Sequence, residues 1–478
     1  MNITSTYEHF EQTHPEKVAI RTENGEITFQ EWARLVRQAV TWFQSKKSKN
    51  RRVAIVAENT LGSLVAIAGA ARAGWTAIPI DPRWTVGEVQ ERVKMVHPDV
   101  LFAGNQLDLV IEVSFEQINS WLSHIKALEE SKECVRDAAL PFYIGFTSGS
   151  TGNPKAFIRS HQSWIESFHC NISDFEMTRD EVVLIPGTIF HSLFLYGALS
   201  ALYLGQTIYF MRKFIPEKAA RVLHDFPITA MYAVPTMFQG LMKQGLKIVK
   251  PISFISSGAK WEDHAKEEMV RLFPEGRLYE FYGASETSYI TVLTPEHLAE
   301  KPGSVGKACK GVAIQVRGAA GEVLPPGEAG TIYVKSSMLF SGYIMDSMLE
   351  NVQDADGWVT VHDAGYLDED GFLYLVGREK NMIISGGINI FPEEIEAVVK
   401  KHPNVTEAVV VGMPDSYWGE VLLAFYSGQV APAELKRHCR QYLSAYKVPR
   451  IWKRIDSFPY TSSGKVARQK LKEEVQYA

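Results

Sequence analysis

The sequence predicts an α/β fold in which a large N-terminal domain precedes a small C-terminal domain. Short β-branched runs alternate with helical patterns through much of the chain, as in largely parallel sheets. At 478 residues the chain exceeds a single hydrophobic core. The pattern then changes near Gly303 and again after Gly377. We therefore expect two α/β sheet subdomains plus a small β-barrel, followed by a small α+β domain.

The first α/β subdomain begins with a hairpin and a capped helix. Asn24-Gly25, the dipeptide favoured in type I′ turns, separates Val18–Ile20 from Ile27–Phe29. Thr28 and Glu31 form a capping box. The helix that follows has an apolar face with helical spacing, made of Trp32, Leu35, Val36, Ala39 and Val40. Next we expect a strand, an alanine-rich helix and a strand, at Arg52–Ala57, Leu61–Ala73 and Thr76–Ile80.

The second α/β subdomain is predicted from four further apolar runs. These are Glu181–Ile185, Gln206–Phe210, Ala230–Val234 and Pro251–Ser256. The segment Val182–Met211 contains no Asp, Glu, Lys or Arg and is long enough to span a bilayer. Pro186, Gly187 and His191 interrupt it, and so we expect a buried strand, turn and helix and no stable membrane insertion.

The β-rich region is expected at about residues 303–376, before the C-terminal domain. Its short runs, separated by Pro-Gly and Asp-Gly turns, are Ala313–Val316, Gly330–Val334, Gly357–Val361 and Phe372–Val376. The last part of the chain predicts helices at Pro392–Lys400 and Ala433–Tyr442 and a strand at Glu407–Val411. We place the large domain at residues 1–379 and the small domain at residues 380–478.

Composition excludes several classes of protein. A formal net charge of −5 offers no broad basic surface to nucleic acid. The four cysteines include no CxxC pair, which favours a reducing compartment and argues against structural zinc. Glu8 and Glu11 interrupt the N-terminal region, where a signal peptide would be basic and then apolar. A cytoplasmic protein is expected.

The stretch Thr147–Lys155 is the strongest single motif. It reads T-S-G-S-T-G-N-P-K, so glycines, hydroxyl groups and a lysine share one short loop. Glycine lets backbone N–H groups approach a ligand closely, while hydroxyl groups and the lysine can bind phosphate oxygens. It differs from a P-loop because Asn153 and Pro154 precede the lysine. The loop predicts a polyphosphate site.

Six motifs together resemble those of the adenylate-forming (ANL) superfamily, and especially of bacterial acyl-CoA synthetases. They occur in the family's order and span nearly the whole chain. They are the Thr147–Lys155 loop, Tyr282–Thr287 (Y-G-A-S-E-T), His362-Asp363 before Gly365-Tyr366, Gly377–Lys380 (G-R-E-K), Ser385–Gly387 (S-G-G) and Ser463–Lys465 (S-G-K).

The resemblance implies ATP, Mg²⁺ and coenzyme A as cofactor and co-substrates. The glycine loop would hold the β- and γ-phosphates, Tyr282 would stack near the adenine, and Asp363 would accept from the ribose hydroxyls. Relatives commonly have Gly before this Asp, where this chain has His362. The implied ATP- and AMP-binding residues are Thr147, Ser148, Gly149, Ser150, Thr151, Gly152, Lys155, Ser257, Gly258, Ala259, Tyr282, Gly283, Ser285, Asp363 and Arg378.

The resemblance also implies the catalytic groups, which are Lys465, Glu286 and His191. Glu286 would coordinate Mg²⁺, and Lys465 would stabilise charge on the α-phosphoryl group. In the family the small domain rotates about a hinge, here at Lys380, between adenylation and thioester formation. A loop of Ser385, Gly386 and Gly387 would then line the tunnel for the pantetheine arm of CoA.

The implied acyl pocket is mostly apolar. Its residues are His191, Val234, Pro235, Tyr282 and Gly283. Amino-acid-activating relatives usually place Asp near the position of His191, and an unpaired ammonium in apolar surroundings would cost several kcal/mol. We therefore expect a small-molecule carboxylic acid, favour a fatty acid, and keep aryl acids of the o-succinylbenzoate type as the alternative. His191 would gate the pocket, unless it is a satisfied core histidine.

CoA is the expected acceptor because no carrier-protein domain follows Lys465 in this sequence, and a separate acyl-carrier protein is the alternative. Two other classes stay open: a non-catalytic protein that binds acyl-adenylate or CoA, and a P-loop phosphotransferase, which would release ADP. No G-x-S-x-G nucleophile elbow is present. The oligomeric state is expected to be a monomer or a homodimer.

Overall fold

The computed structural model describes two compact units. One contains Met1–Ile314 with Val334–Val359, and the other contains Gln315–Tyr333 with Thr360–Ala478. The predicted boundary between residues 379 and 380 stays a prediction. The described residues are 1–56, 58–104, 113–148, 154–245, 247–257, 261, 263–345, 348–378, 381–385, 388–415, 419–460 and 466–476.

The strands are numbered in chain order. They are β1 Val18–Thr22, β2 Gly25–Thr28, β3 Arg52–Val56, β4 Thr76–Pro79, β5 Val100–Ala103, β6 Ser114–Gln117, β7 Pro141–Ser148, β8 Pro154–Ser160, β9 Val182–Ile185, β10 Thr207–Phe210, β11 Ala230–Ala233, β12 Ile252–Ser256 and β13 Gly276–Ala284. They continue with β14 Ser288–Leu293, β15 Lys307–Ala308, β16 Ala313–Arg317, β17 Gly330–Lys335, β18 Gly342–Met345, β19 Met348–Glu350, β20 Asp363–Leu367, β21 Leu373–Arg378, β22 Ile383–Ser385, β23 Ile388–Ile390, β24 Val405–Asp415, β25 Gly419–Gly428 and β26 Ile451–Arg454.

The α-helices follow the same convention. They are α1 Tyr7–Thr13, α2 Phe29–Ser45, α3 Leu61–Arg72, α4 Val86–Val96, α5 Ile118–Ile125, α6 His161–Ser173, α7 Ser192–Leu204, α8 Pro216–Asp225, α9 Pro235–Met242, α10 Asp263–Leu272, α11 Pro392–Lys400, α12 Pro432–Tyr442 and α13 Arg468–Gln476.

Two large sheets form the first unit, as the strand–helix alternation predicts. One has the strand order β15-β14-β13-β12-β11-β9-β10-β1-β2, and the other has the order β19-β18-β8-β7-β4-β3-β5-β6. The central pairs β10–β9, β9–β11, β11–β12 and β12–β13 are all parallel. Antiparallel strands flank this parallel core, since β2 pairs with β1 and β14 pairs with β13.

Local signals in the first subdomain are confirmed. Thr28 Oγ1 accepts from Glu31 N at 3.2 Å, while Thr28 N donates to Glu31 Oε2 at 2.9 Å. The capping box therefore starts α2, and its predicted apolar face is buried. The uncharged segment from Val182 to Met211 forms β9, α7 and β10, as expected. No helix among the described residues is long and apolar enough to cross a membrane.

The β-rich region forms a four-stranded sheet in the order β16-β17-β20-β21. The predicted strand at Gly357–Val361 is wrong. Asp354 Oδ1 accepts from Trp358 N at 2.8 Å, and Gly357 has a φ of 83°, so this segment begins as a tight turn. Only Val359 pairs, through an isolated bridge with Val334.

The C-terminal elements form two apolar clusters, one that includes Val410 and Leu422 and another that includes Val409 and Leu423. Strands β23, β22, β25 and β24 lie in that order, and β26 pairs with β25. The predicted helices are confirmed as α11 and α12, and the predicted strand as part of β24. Arg468 and Glu396 pair below the surface, and Arg468 Nη1 also donates to Val410 O at 2.8 Å. This pair connects the start of α13 to α11 and β24.

A glycine at the contact of two helices gives a test of this packing. A Cβ on Gly69 in α3 would stand 2.4 Å from Ala39 Cβ in α2. Because the helices would have to separate, we expect Gly69→Ala to lower the free energy of unfolding by about 1–3 kcal/mol in urea titrations.

Gly87→Ala is the matched control for this substitution. No atom lies within 4 Å of a Cβ built on Gly87 in α4, so the change should raise stability by up to about 1 kcal/mol through helix propensity. Equal effects of the two substitutions would contradict the described packing of α2 against α3.

Candidate active site

The residues predicted to form the pocket follow neighbouring parallel strands. Strands β9, β11, β12 and β13 lie side by side, and the carboxyl ends of parallel strands share one edge of a sheet. His191 follows β9, Ser257 follows β12, and Tyr282 and Gly283 belong to the end of β13. Val234 and Pro235 follow β11 and begin α9. The topology thus brings these residues to one edge, while Gly258 and Ala259 lie outside the described residues.

The glycine-rich loop closes a hairpin. Strands β7 and β8 are antiparallel, with Thr147 opposite Lys155 and Ser148 opposite Pro154. Gly149, Ser150, Thr151 and Gly152 lie outside the described residues. The two ends of the loop are therefore fixed by the ladder, and both ends lie near Tyr343. Lys155 Nζ stands 5.0 Å from the ring centroid of Tyr343.

Glu286 is a buried carboxylate with two hydroxyl donors. It is 7% exposed, and its Oε1 accepts from Thr147 Oγ1 at 3.1 Å and from Tyr343 OH at 3.0 Å. Burial and the charge of Glu286 both raise the pKa of Tyr343, which keeps the phenol protonated as a donor. Tyr343 was missed by the sequence analysis, because it reaches Glu286 only through the pairing of β18 with β8.

A tight turn presents Glu286 and Ser285. Thr287 N donates to Ala284 O at 3.1 Å, and Ala284 N donates to Thr287 Oγ1 at 3.0 Å. A Cβ on Gly283 would stand 1.9 Å from the carbonyl oxygen of Ser288, so glycine is required at this close approach. Ser285 Oγ lies 2.9 Å from the hydroxyl of Ser192 at the start of α7.

His191 lies beside an arginine and a buried aspartate. Asp81 is 4% exposed, and its Oδ1 accepts from Arg83 Nε at 2.9 Å. Arg83 Nη2 is 3.4 Å from His191 Nε2. Burial would raise the pKa of Asp81, but the bonds from Arg83 outweigh it and lower that pKa. Neither Asp81 nor Arg83 was identified from the sequence, since no motif marks them.

In the second unit, Asp363 and Arg378 are cross-strand neighbours on β20 and β21. Arg378 Nε lies 3.0 Å from Asp363 Oδ1. His362 has a φ of 61°, a left-handed conformation that glycine adopts most easily. His362 therefore adopts the left-handed backbone conformation that suits a glycine, the residue that relatives commonly have at this position.

The residues implied for CoA binding and for the hinge are described only in part. Ser385 Oγ donates to Glu420 O at 2.6 Å. Lys380, Gly386, Gly387 and Lys465 lie outside the described residues, and their implied roles stay predictions.

The carboxylate of Glu286 suits a hard cation that takes most of its other ligands from the substrate. No group of three or more His, Cys, Asp or Glu that could hold a metal exists among the described residues, so they form no all-protein cage. Mg²⁺ typically takes one or two carboxylates and completes its shell with substrate phosphates and water. Glu286, next to the loop hairpin, fits that mode of binding.

Comparison with known proteins identifies two matching regions. Residues 7–344 match the family model of the AMP-binding enzymes, and residues 394–465 match that of the AMP-binding enzyme C-terminal domain.

Three similar proteins cover nearly the whole chain. The uncharacterized acyl-CoA ligase YhfT of Bacillus subtilis is 45% identical, and the alignment covers 100% of both chains. A Staphylococcus epidermidis protein named as a long chain fatty acid-CoA ligase, VraA, is 30% identical over 97% of this chain and 96% of its own. The structure of o-succinylbenzoate CoA synthetase (MenE) from Bacillus subtilis, in complex with the acyl-adenylate OSB-AMP, has a TM-score of 0.86 at 26% identity, and the match covers 98% of this chain and 97% of MenE. MenE in complex with ATP and a magnesium ion has a TM-score of 0.84 at the same identity, and the match covers 98% of both chains.

The charges around His191 predict how its pKa changes when Arg83 is replaced. Partial desolvation lowers the pKa of His191, the charge of Asp81 opposes this effect, and the charge of Arg83 adds to it. Because a nearby cation disfavours imidazolium, Arg83→Gln should raise the pKa of His191, measured by NMR titration of its ring. Arg277→Gln, which breaks an ion pair with Glu176, is the control. An unchanged pKa in the Arg83 variant would contradict the described contact.

Proposed function

This chain belongs to the AMP-binding enzyme family, and we propose that it uses ATP to activate a carboxylic acid and transfers the acyl group to CoA. The observation that carries this proposal is the buried Glu286 carboxylate, held by a hydroxyl from the end of the glycine-loop hairpin and by Tyr343. A carboxylate next to a phosphate-binding loop is the arrangement that a magnesium–ATP complex requires.

The reaction has two steps that balance without a protein nucleophile. A carboxylate oxygen of the acid attacks the α-phosphorus of ATP, the bond to the bridging oxygen breaks, and pyrophosphate leaves. The sulfur of CoA then attacks the acyl carbon, the bond from that carbon to the AMP oxygen breaks, and AMP leaves. The products are acyl-CoA, AMP, pyrophosphate and the proton released by the thiol.

The protein's contribution to the first step is to position ATP and to stabilise charge. The loop hairpin and Lys155 would hold the β- and γ-phosphates, and Ser285 would meet the α-phosphate. Mg²⁺, when it is bound by Glu286 and the phosphates, neutralises part of their negative charge. We propose Lys465 as the cation that stabilises the α-phosphoryl oxygens.

The nucleotide would also be recognised by Asp363 and Arg378, which pair in the second unit. We propose that Asp363 accepts from the ribose hydroxyls, because a carboxylate has two acceptor oxygens and Arg378, 3.0 Å from Oδ1, helps to orient it. Tyr282, 9% exposed at the end of β13, would stack near the adenine together with Ser257. Ser385, Gly386 and Gly387 are proposed to contact the pantetheine arm of CoA.

A fatty acid is the proposed substrate, and an aryl acid of the o-succinylbenzoate type is the second candidate. The name of VraA supports the first, and the complex of MenE with the acyl-adenylate OSB-AMP supports the second. His191 Nε2 lies 3.4 Å from Arg83 Nη2, and Arg83 pairs with Asp81. Because Asp81 already has a cationic partner and Arg83 would repel a second cation, this position disfavours an amino acid's ammonium. A separate acyl-carrier protein is the second candidate as acceptor.

The proposal is tested by ATP-dependent pyrophosphate release across a panel of medium and long fatty acids, o-succinylbenzoate and amino acids. With fatty acids we expect release, and turnover to acyl-CoA and AMP only when CoA is added. Release of ADP would contradict the proposed chemistry, and a preference for o-succinylbenzoate would replace the proposed substrate.

Lys465→Ala separates the two steps. Because the lysine is proposed to act on the α-phosphoryl group, we expect adenylation to fall about a hundredfold or more, while thioester formation from supplied acyl-adenylate stays near the wild-type rate. Lys470→Ala, at an exposed lysine of α13, is the control. Equal losses in both steps would contradict a role confined to adenylation.

A further inference from the structure

Arg159 is a fully buried arginine near the end of β8, one of the two strands of the glycine-loop hairpin. It is 2% exposed. Its guanidinium donates to Ser285 O at 2.7 Å from Nη1, and to Ser288 Oγ at 2.6 Å and Met338 O at 2.8 Å from Nη2. Its Nε also donates to Ser163 Oγ in the first turn of α6 at 3.1 Å. One side chain of β8 thus bonds to three other segments of the first unit: α6, the Ser285–Ser288 turn and the chain at Met338.

These acceptors lie on both sides of Glu286. Ser285 precedes Glu286, and Ser288 follows it by two residues with a left-handed φ of 58°, a conformation that costs free energy for any residue but glycine. The segment that begins at Met338 continues to Phe340, whose N donates to Glu286 O at 2.8 Å. Arg159 therefore holds both the strained turn and the Met338–Phe340 segment, and these two parts together position the Glu286 carboxylate.

The charge of Arg159 also interacts with this carboxylate. Its hydrogen bonds described above go to carbonyl and hydroxyl oxygens, which are neutral acceptors. Burial lowers the pKa of Arg159 to about 10, and the charge of Glu286 is among the interactions that oppose this shift. The guanidinium is therefore cationic at neutral pH. A buried charge is costly unless hydrogen bonds or an opposite charge compensate for its lost solvation, as the acceptors of Arg159 and the charge of Glu286 do here.

We propose that Arg159 is a positioning residue for magnesium–ATP: it holds the Ser285–Ser288 turn so that Glu286 meets the metal in the correct orientation. This inference rests on the proposed function, because it assigns the metal to Glu286. Arg159 does not itself contact substrate in this account. Its loss should weaken metal binding and slow adenylation, and it should affect the metal-independent thioester step much less.

The test compares Arg159→Met and Arg159→Lys with the wild-type protein. The measurements are the Mg²⁺ concentration for half-maximal pyrophosphate release and, independently of turnover, the binding of Mn²⁺ in the complex with a non-hydrolysable ATP analogue, followed by EPR. We expect Arg159→Met to weaken both by about tenfold or more, since several hydrogen bonds are lost. Lysine keeps the charge but not the planar fork of donors, so the metal affinity of Arg159→Lys should lie between those of Arg159→Met and the wild-type protein.

Arg72→Met is the matched control, because Arg72 is also 2% exposed and pairs with Glu8 rather than with the turn. It should lower thermal stability but leave the metal dependence unchanged. If Arg159→Met does not fold, Ser288→Ala removes one of the guanidinium's acceptors, and we expect it to weaken Mn²⁺ binding by about threefold.

The outcomes separate this inference from the proposed function. If Arg159→Met or Ser288→Ala folds and keeps the wild-type affinity for Mn²⁺, the proposed role of Arg159 is overturned, while the proposed function still stands. Equal metal effects in the Arg72 and Arg159 variants would also overturn that role, since the effect would then follow general destabilisation. A wild-type protein that releases no pyrophosphate with any acid would overturn the proposed function itself.

Discussion

The burial of the Glu286 carboxylate is the constraint on which the candidate site depends. A carboxylate removed from water is stable only when hydrogen bonds or cations compensate for its lost solvation. Thr147 and Tyr343 donate to the same oxygen, and Arg159 braces the turn on both sides of it. Since these groups come from β7, β18 and β8, the site can form only when the eight-stranded sheet is assembled next to the turn after β13.

In this fold the strands form the scaffold, and the predicted site residues lie at strand ends and in loops. The parallel strands β9, β11, β12 and β13 bring the predicted pocket residues to one edge of the nine-stranded sheet. The antiparallel hairpin of β7 and β8 carries the glycine loop at its tip. Loops at strand ends can vary in sequence without disturbing a sheet, so residues at this edge can change while the sheet that carries them stays the same.

Local signals in the sequence predicted much of the fold and only part of the site. The capping box of Thr28 and Glu31 and the uncharged run from Val182 to Met211 were interpreted correctly, because each depends on neighbouring residues. The strand expected at Gly357–Val361 was wrong, because the side chain of Asp354 stabilises a turn there. Tyr343 and Arg159 were missed, because the partners that give them a role lie far away in the chain. Asp81 pairs with nearby Arg83 but was missed because only tertiary packing brings Arg83 to His191. The predicted roles of the residues outside the described parts, such as Lys465, depend on resemblance alone.

The fate of the acid's oxygen atoms distinguishes attack on the α-phosphorus of ATP from attack on the γ-phosphorus. The protein is incubated with ATP, Mg²⁺, CoA and a fatty acid whose carboxylate carries ¹⁸O, and the phosphate groups of the products are analysed by mass spectrometry. Attack of the carboxylate on the α-phosphorus predicts one ¹⁸O atom in AMP and none in pyrophosphate. Appearance of ¹⁸O in inorganic phosphate, with ADP as the nucleotide product, would show attack on the γ-phosphorus and would contradict the account.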